Sequence, residues 1–253
     1  MMKRLAWLPA LLVLAGPALA EHPAECMVAQ HQVDHIFPLP SVAHAIGGKK
    51  LVILVLGAGS SILPGSNGAK NAYPARLQVA LSQALPGVDV QIITDVKSRR
   101  TAAEMVKNLS QALSDAKPAL MIWQTGTVDA MQAVDADQFS QALDQGINLA
   151  RSAGADVILV NAQYSPRTES MIALATYVEN MNWVALQHEV PLFDRYDVMR
   201  LWADLGTFDF TNATNKLDMA QRVHDCIGRL LSDLVVEAAK AGGSQTNGGA
   251  QVK

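Results

Sequence analysis

Few residues in this chain have the type and setting for chemistry, and Ser61 comes first. It stands in Gly57-Ala58-Gly59-Ser60-Ser61-Ile62-Leu63-Pro64-Gly65, directly after the apolar run Leu51–Leu56. Small neighbours let a backbone turn sharply and present a hydroxyl as a nucleophile. A serine needs a base to take its proton and a third group to orient that base. His224 is the one histidine in the last amphipathic stretch, with Asp209 and Asp218 nearby in sequence as candidate orienting acids. His22, His31, His35 and His44 crowd the N-terminal end, and His188 closes an amphipathic stretch. No cysteine pair has ligand spacing, and no metal is expected. Neither a P-loop nor a Gly-x-Gly-x-x-Gly is present, so no nucleotide cofactor is expected either.

His224 reads in two ways. In one it is the base for Ser61. In the other, Asn215 and Asp218 act as cap and third residue of a helix starting near Lys216. His224 then lies two turns inside that helix, on the apolar face with Ala220, Ile227 and Leu231, as a packing residue.

These groups must be positioned by regular elements, and the pattern for them is clear. Leu51–Leu56 is a continuous apolar run, the mark of a strand covered on both faces. Val88–Thr94, Leu120–Gln124, Val157–Asn161 and Pro191–Phe193 repeat it. Amphipathic stretches lie between and after them: Pro74–Leu85, Thr101–Ala116, Asp137–Ala153, Thr168–His188, Asp197–Leu205 and 216–240. Such alternation predicts an α/β fold with a parallel sheet and helices on both faces. Functional groups then gather where the strands end.

With that order in view, Gly59–Gly65 resembles the Gly-Asp-Ser-Leu-Thr-x-Gly block of the GDSL/SGNH hydrolases. Ala72-Tyr73-Pro74-Ala75-Arg76-Leu77 is similar to the Tyr-Pro helix start that follows that block. The resemblance covers about residues 50–236. It implies a three-layer, flavodoxin-like α/β/α sandwich on a five-stranded parallel sheet, with Ser61 as the nucleophile of an ester hydrolase. The block's aspartate is Ser60 here. In block two, Arg99 stands where the family has a glycine whose N–H binds the oxyanion. Lys97, Arg99 and Arg100 read as a solvated basic turn, or as a lure for an anionic substrate. In block three, Gly126-Thr127-Val128-Asp129 keeps the glycine and the aspartate. Val128 replaces the oxyanion-binding asparagine, so Gln124, Thr125 or Thr127 would have to substitute. The family's Asp-x-x-His becomes Gln221-x-x-His224.

Two functions are open on these grounds. One is an esterase acting on an acyl or acetyl ester of a small molecule or glycan, through Ser61 and His224, with Arg99 and Gly126 at the oxyanion. The other is a degenerate member that binds an ester, glycan or envelope partner without turnover.

Composition and the chain ends bound the rest. Residues 1–20 carry a basic start, an apolar core and Ala18-Leu19-Ala20, which reads as a cleavable signal peptide and implies secretion or a periplasmic address. The net charge of −3 falls to −5 once Lys3 and Arg4 leave with it, which argues against a nucleic-acid partner. No segment after the leader is long and apolar enough to span a bilayer. In an oxidising compartment Cys26 and Cys226, the two cysteines of the chain, are expected to pair. Residues 21–50 read as a lead-in, 51–240 as one domain, and 241–253 as a flexible tail without core-forming residues.

Overall fold

A computed structural model describes residues 23–28, 36–211 and 216–248. The signal-peptide reading therefore falls outside the described residues. Five strands form one all-parallel sheet in the order β2-β1-β3-β4-β5. They are β1 (Lys50–Gly57), β2 (Asp89–Val96), β3 (Leu120–Gln124), β4 (Asp156–Val160) and β5 (Leu192–Phe193). β3 is buried along its whole length and β1 almost so, as continuous apolar runs require. β2 runs past the expected Thr94 because Thr94, Asp95 and Val96 pair with Val55, Leu56 and Gly57.

One face of the sheet carries α1 (Pro40–Gly47), α3 (Tyr73–Ala84) and α11 (Lys216–Gly248). The other carries α4 (Ala102–Val106), α5 (Leu109–Ala116), α7 (Ala136–Ser152) and α9 (Leu174–Gln187). Short helices α2 (Gly68–Asn71), α6 (Thr127–Met131) and α8 (Pro166–Met171), together with α10 (Arg195–Asp204), occupy the connections. The sequence suggested single helices over Thr101–Ala116 and Thr168–His188, but each is two. α5 restarts at Leu109 after Asn108, and α9 restarts after the extended Ile172.

The expected flexible tail needs correction as far as residue 248, residues 249–253 lying outside the described ones. α11 continues through Ala241–Gly248, because the glycine at 242 has a packing purpose rather than a breaking one. A Cβ on Gly242 would sit 2.7 Å from the carbonyl carbon of Leu39, so its absence lets α11 close on the start of α1. The Leu39 amide donates to the Ala238 carbonyl at 3.0 Å and fixes that approach.

Gly146, inside α7, follows the same logic against the core. A Cβ there would lie 2.2 Å from the Trp123 ring, and Trp123 is fully buried. Gly→Ala in a helix interior ordinarily stabilises by about 1 kcal/mol. At this site overpacking outweighs that gain, so Gly146→Ala is expected to lose about 1–3 kcal/mol in urea denaturation.

Cys26 and Cys226 form a disulfide that closes 200 residues of sequence. It ties the short helical turn Ala24–Cys26 to the first third of α11.

Candidate active site

The turn after β1 is a short 3-10 segment, Gly59–Ser61, and it folds Ser61 inward rather than out to solvent. Ser61 is 2% exposed. Its Oγ occupies space that a side chain at residue 57 would need: a Cβ on Gly57 would meet it at 2.3 Å. The hydroxyl donates to the Gln124 Oε1, which also accepts from the Ser60 Oγ at 3.0 Å. With its proton committed to Gln124, Ser61 accepts from the Tyr73 phenol at 3.3 Å. An amide oxygen cannot take a proton near neutral pH, and burial raises the Tyr73 phenol further still. The partners of Ser61 hold it without activating it.

His224 meets the other end of the same tyrosine. α11 starts at Lys216, so the histidine lies two turns inside it, 5% exposed. Its Nδ1 accepts from the Tyr73 backbone N–H at 2.9 Å, and the two rings stand 6.0 Å apart. Burial first, and then the Arg195 charge, push the imidazole down to about 3, so it is neutral at pH 7. Among the described residues there is no hydrogen bond between Ser61 and an imidazole. The two candidates are thus brought to one neighbour, Tyr73, and not to each other.

The suggested orienting acids lie elsewhere. Asp218 is exposed and pairs loosely with Arg222 at 3.8 Å. Asp209 accepts from the Thr211 amide at 3.0 Å and caps its own turn.

At the proposed oxyanion positions, Gly126 has φ +98°, as a glycine-requiring turn should, but its N–H is aimed at Asp129 at 3.3 Å. Asp129 is fully buried and also accepts from the Ala102 amide at 2.9 Å and the Thr125 hydroxyl at 3.2 Å. The block-three aspartate therefore locks the loop to α4. Burial raises its carboxyl above the usual range, and those donors partly offset the shift. Arg99 keeps a left-handed backbone at φ +63°, the conformation glycine favours, with its side chain exposed. Beside it Arg100 is not solvated: it clamps the Asp95 carboxylate at 3.0 Å and reaches the Gly57 carbonyl at 3.3 Å, joining the ends of β1 and β2.

Sequence reasoning missed Arg195. It opens α10, is 1% exposed, and donates to the Ser60 carbonyl at 3.2 Å and the Gln163 side chain at 3.3 Å. Its guanidinium lies 6.0 Å from the centre of the Tyr73 ring, and burial lowers its pKa to about 10. Both its hydrogen-bonded partners are neutral oxygens, so a positive charge sits beside the serine turn where a hydrolase would want a base. Its place, at the start of a helix after a strand, was readable from the sequence; its burial was not.

A cavity of about 290 Å³ opens at Ser61, walled by Ile62, Ala72, Pro74, Ile92 and Val96, with Lys70 among its lining residues. The described residues hold no group of three or more His, Cys, Asp or Glu fit for a metal ion. None of their helices is long and apolar enough to cross a membrane.

The sequence profile of the non-GDSL lipase-like family matches residues 25–241. The chain belongs to that family. Comparison with curated protein sequences returns no match. Among solved structures, that of TesA superposes with a TM-score of 0.56 at 22% identity, covering 72% of this chain and 99% of TesA. A catalytic mutant of Axe2, an acetylxylan esterase from Geobacillus stearothermophilus, gives 0.59 at 16% identity, covering 73% and 94%. The lipase/acylhydrolase from Enterococcus faecalis gives 0.58 at 18% identity, covering 72% and 96%. At these identities the likeness is one of fold: the three-layer α/β architecture of the SGNH hydrolases.

Proposed function

We propose that this chain is an SGNH-fold binding protein that holds a small ester or glycan ligand beside Ser61 without turning it over. One observation carries the reading: the Ser61 hydroxyl is spent on Gln124 while His224 is spent on the Tyr73 amide. A serine without a base loses most of the rate such a centre can give. The departures at Ser60, Val128 and Gln221 from the hydrolase pattern agree with it. The test is direct. Chromogenic acetyl and butyryl esters should show no turnover above buffer, and a fluorophosphonate should leave Ser61 unlabelled. Turnover abolished by both Ser61→Ala and His224→Ala would overturn the reading.

The apolar cavity at Ser61 favours one second reading, an esterase for an acyl or acetyl ester with Ser61 as nucleophile and His224 as base. It requires Tyr73 to release His224, and the same pair of substitutions decides between the two. We also propose export, with cleavage after Ala20. The Cys26–Cys226 bond supports an oxidising address, secreted or periplasmic.

A further inference from the structure

A second cavity lies at the opposite edge of the sheet, between α9 and α10 and over β5. Its volume is about 650 Å³, within the range of small-molecule sites. Leu186, Leu192 and Leu201 give it an apolar floor, and Trp183 stands at its wall, 72% exposed. An indole that open to water is uncommon on a helix whose other aromatic, Tyr177, is buried.

Charge in the lining is one-sided. Glu179, Asp194, Asp197 and Asp204 face a single cation, Arg200. That cation is already engaged, paired with Asp197 at 2.9 Å and 5.7 Å from the centre of the Tyr196 ring. No ion pair reaches Glu179 or Asp204 among the described residues. Burial, and then the neighbouring Asp194 charge, lift the Asp197 carboxyl above its ordinary value. An incoming cation would relieve that crowding. An anion would be repelled, and a neutral ligand would leave the excess charge unanswered.

From the exposed indole, the apolar floor and the surplus carboxylates together, we infer that this groove binds a small organic cation, an ammonium or guanidinium on an apolar body. The cation lies against the Trp183 face and among Glu179 and Asp204, while the body covers the leucines. This site is separate from the cavity at Ser61, and its occupation does not depend on whether Ser61 is reactive.

Tryptophan fluorescence reads it by difference: Trp123 and Trp202 are fully buried, Trp183 is not, and Trp183→Ala supplies the baseline to which they and Trp7 contribute. The full chain is titrated with phenethylammonium, phenethyl alcohol and phenylacetate, which share a body and differ in charge. Saturable binding with a blue shift is expected for the ammonium, about tenfold weaker for the alcohol and absent for the carboxylate. By calorimetric titration, which does not need the Trp183 reporter, Trp183→Ala and Glu179→Gln/Asp204→Asn should each weaken it about tenfold, and rising salt should weaken it further. Arg200→Met should tighten it, since it frees Asp197, a result no merely structural role gives. Equal binding of the alcohol or of a neutral oligosaccharide, binding of phenylacetate, or no saturable shift would each overturn the inference. Ser61→Ala leaves all of these results unchanged.

Discussion

Replacing both Cys26 and Cys226 by alanine is expected to lower the melting temperature by about 10–20 °C. The bond closes 200 residues of sequence, and a cross-link of that span removes about 5 kcal/mol of loop-closure freedom from the unfolded chain. For a chain of this size each kcal/mol corresponds to about 2–4 °C. Little else holds the N-terminal turn to α11. The Glu25–Arg222 ion pair, at 3.1 Å, is partly open to solvent on both sides and is worth at most about 1 kcal/mol. Both cysteines are buried, at 1% and 0% exposure, so part of the loss comes from packing. Scanning calorimetry of the variant and of the wild type with and without reductant separates the two. The cross-link loss appears in both comparisons, while the lost sulfur packing appears only in the variant. A shift of under 3 °C in either would mean that the unfolded chain is already compact near its ends.

How much of this was readable in the residues differs between fold and site. The strands were legible because a buried parallel sheet demands unbroken apolar runs, and Leu51–Leu56 and Leu120–Gln124 have no other use. The breaks in the two long helices were harder to see, since Asn108 and Ile172 are ordinary helix-edge residues whose effect depends on what they pack against. Gly242 misled because a glycine after Lys240 looks like an end signal; only the approach of Leu39 reveals it as a contact. At the site, residue types and order put Ser61 and His224 on a short list but carried no directions. Ser61 and His224 are both buried near Tyr73, yet a one-residue turn of the Gly59–Ser61 segment decides whether a hydroxyl faces out or in. The room left by Gly57 sends it in. Arg195 was invisible for a related reason: burial of an arginine beside neutral carbonyls has no periodic signature.

His224 should make the folded protein acid-sensitive in a way that a catalytic base would not. Its folded pKa, pushed down to about 3, lies below the ordinary histidine value near 6.5. The unfolded chain therefore binds the proton first as pH falls. Stability is full above about pH 6.5 and declines toward pH 3, with a slope near 1.4 kcal/mol per pH unit from this one group. Integrated over that window the ceiling is about 5 kcal/mol. Asp129 and Asp156 act in the opposite sense. Burial raises both carboxyls, so each is protonated more readily in the folded state and adds stability at low pH. A single pH profile mixes these terms, and the comparison that isolates His224 is with His224→Gln. That variant loses the bond from the Tyr73 amide at every pH but has no proton to gain. Urea midpoints of the two proteins should differ most at neutral pH and converge toward pH 4. Parallel profiles would mean the imidazole titrates normally. In that case it would be free of Tyr73 near neutral pH, and the case for His224 as the base of Ser61 would revive.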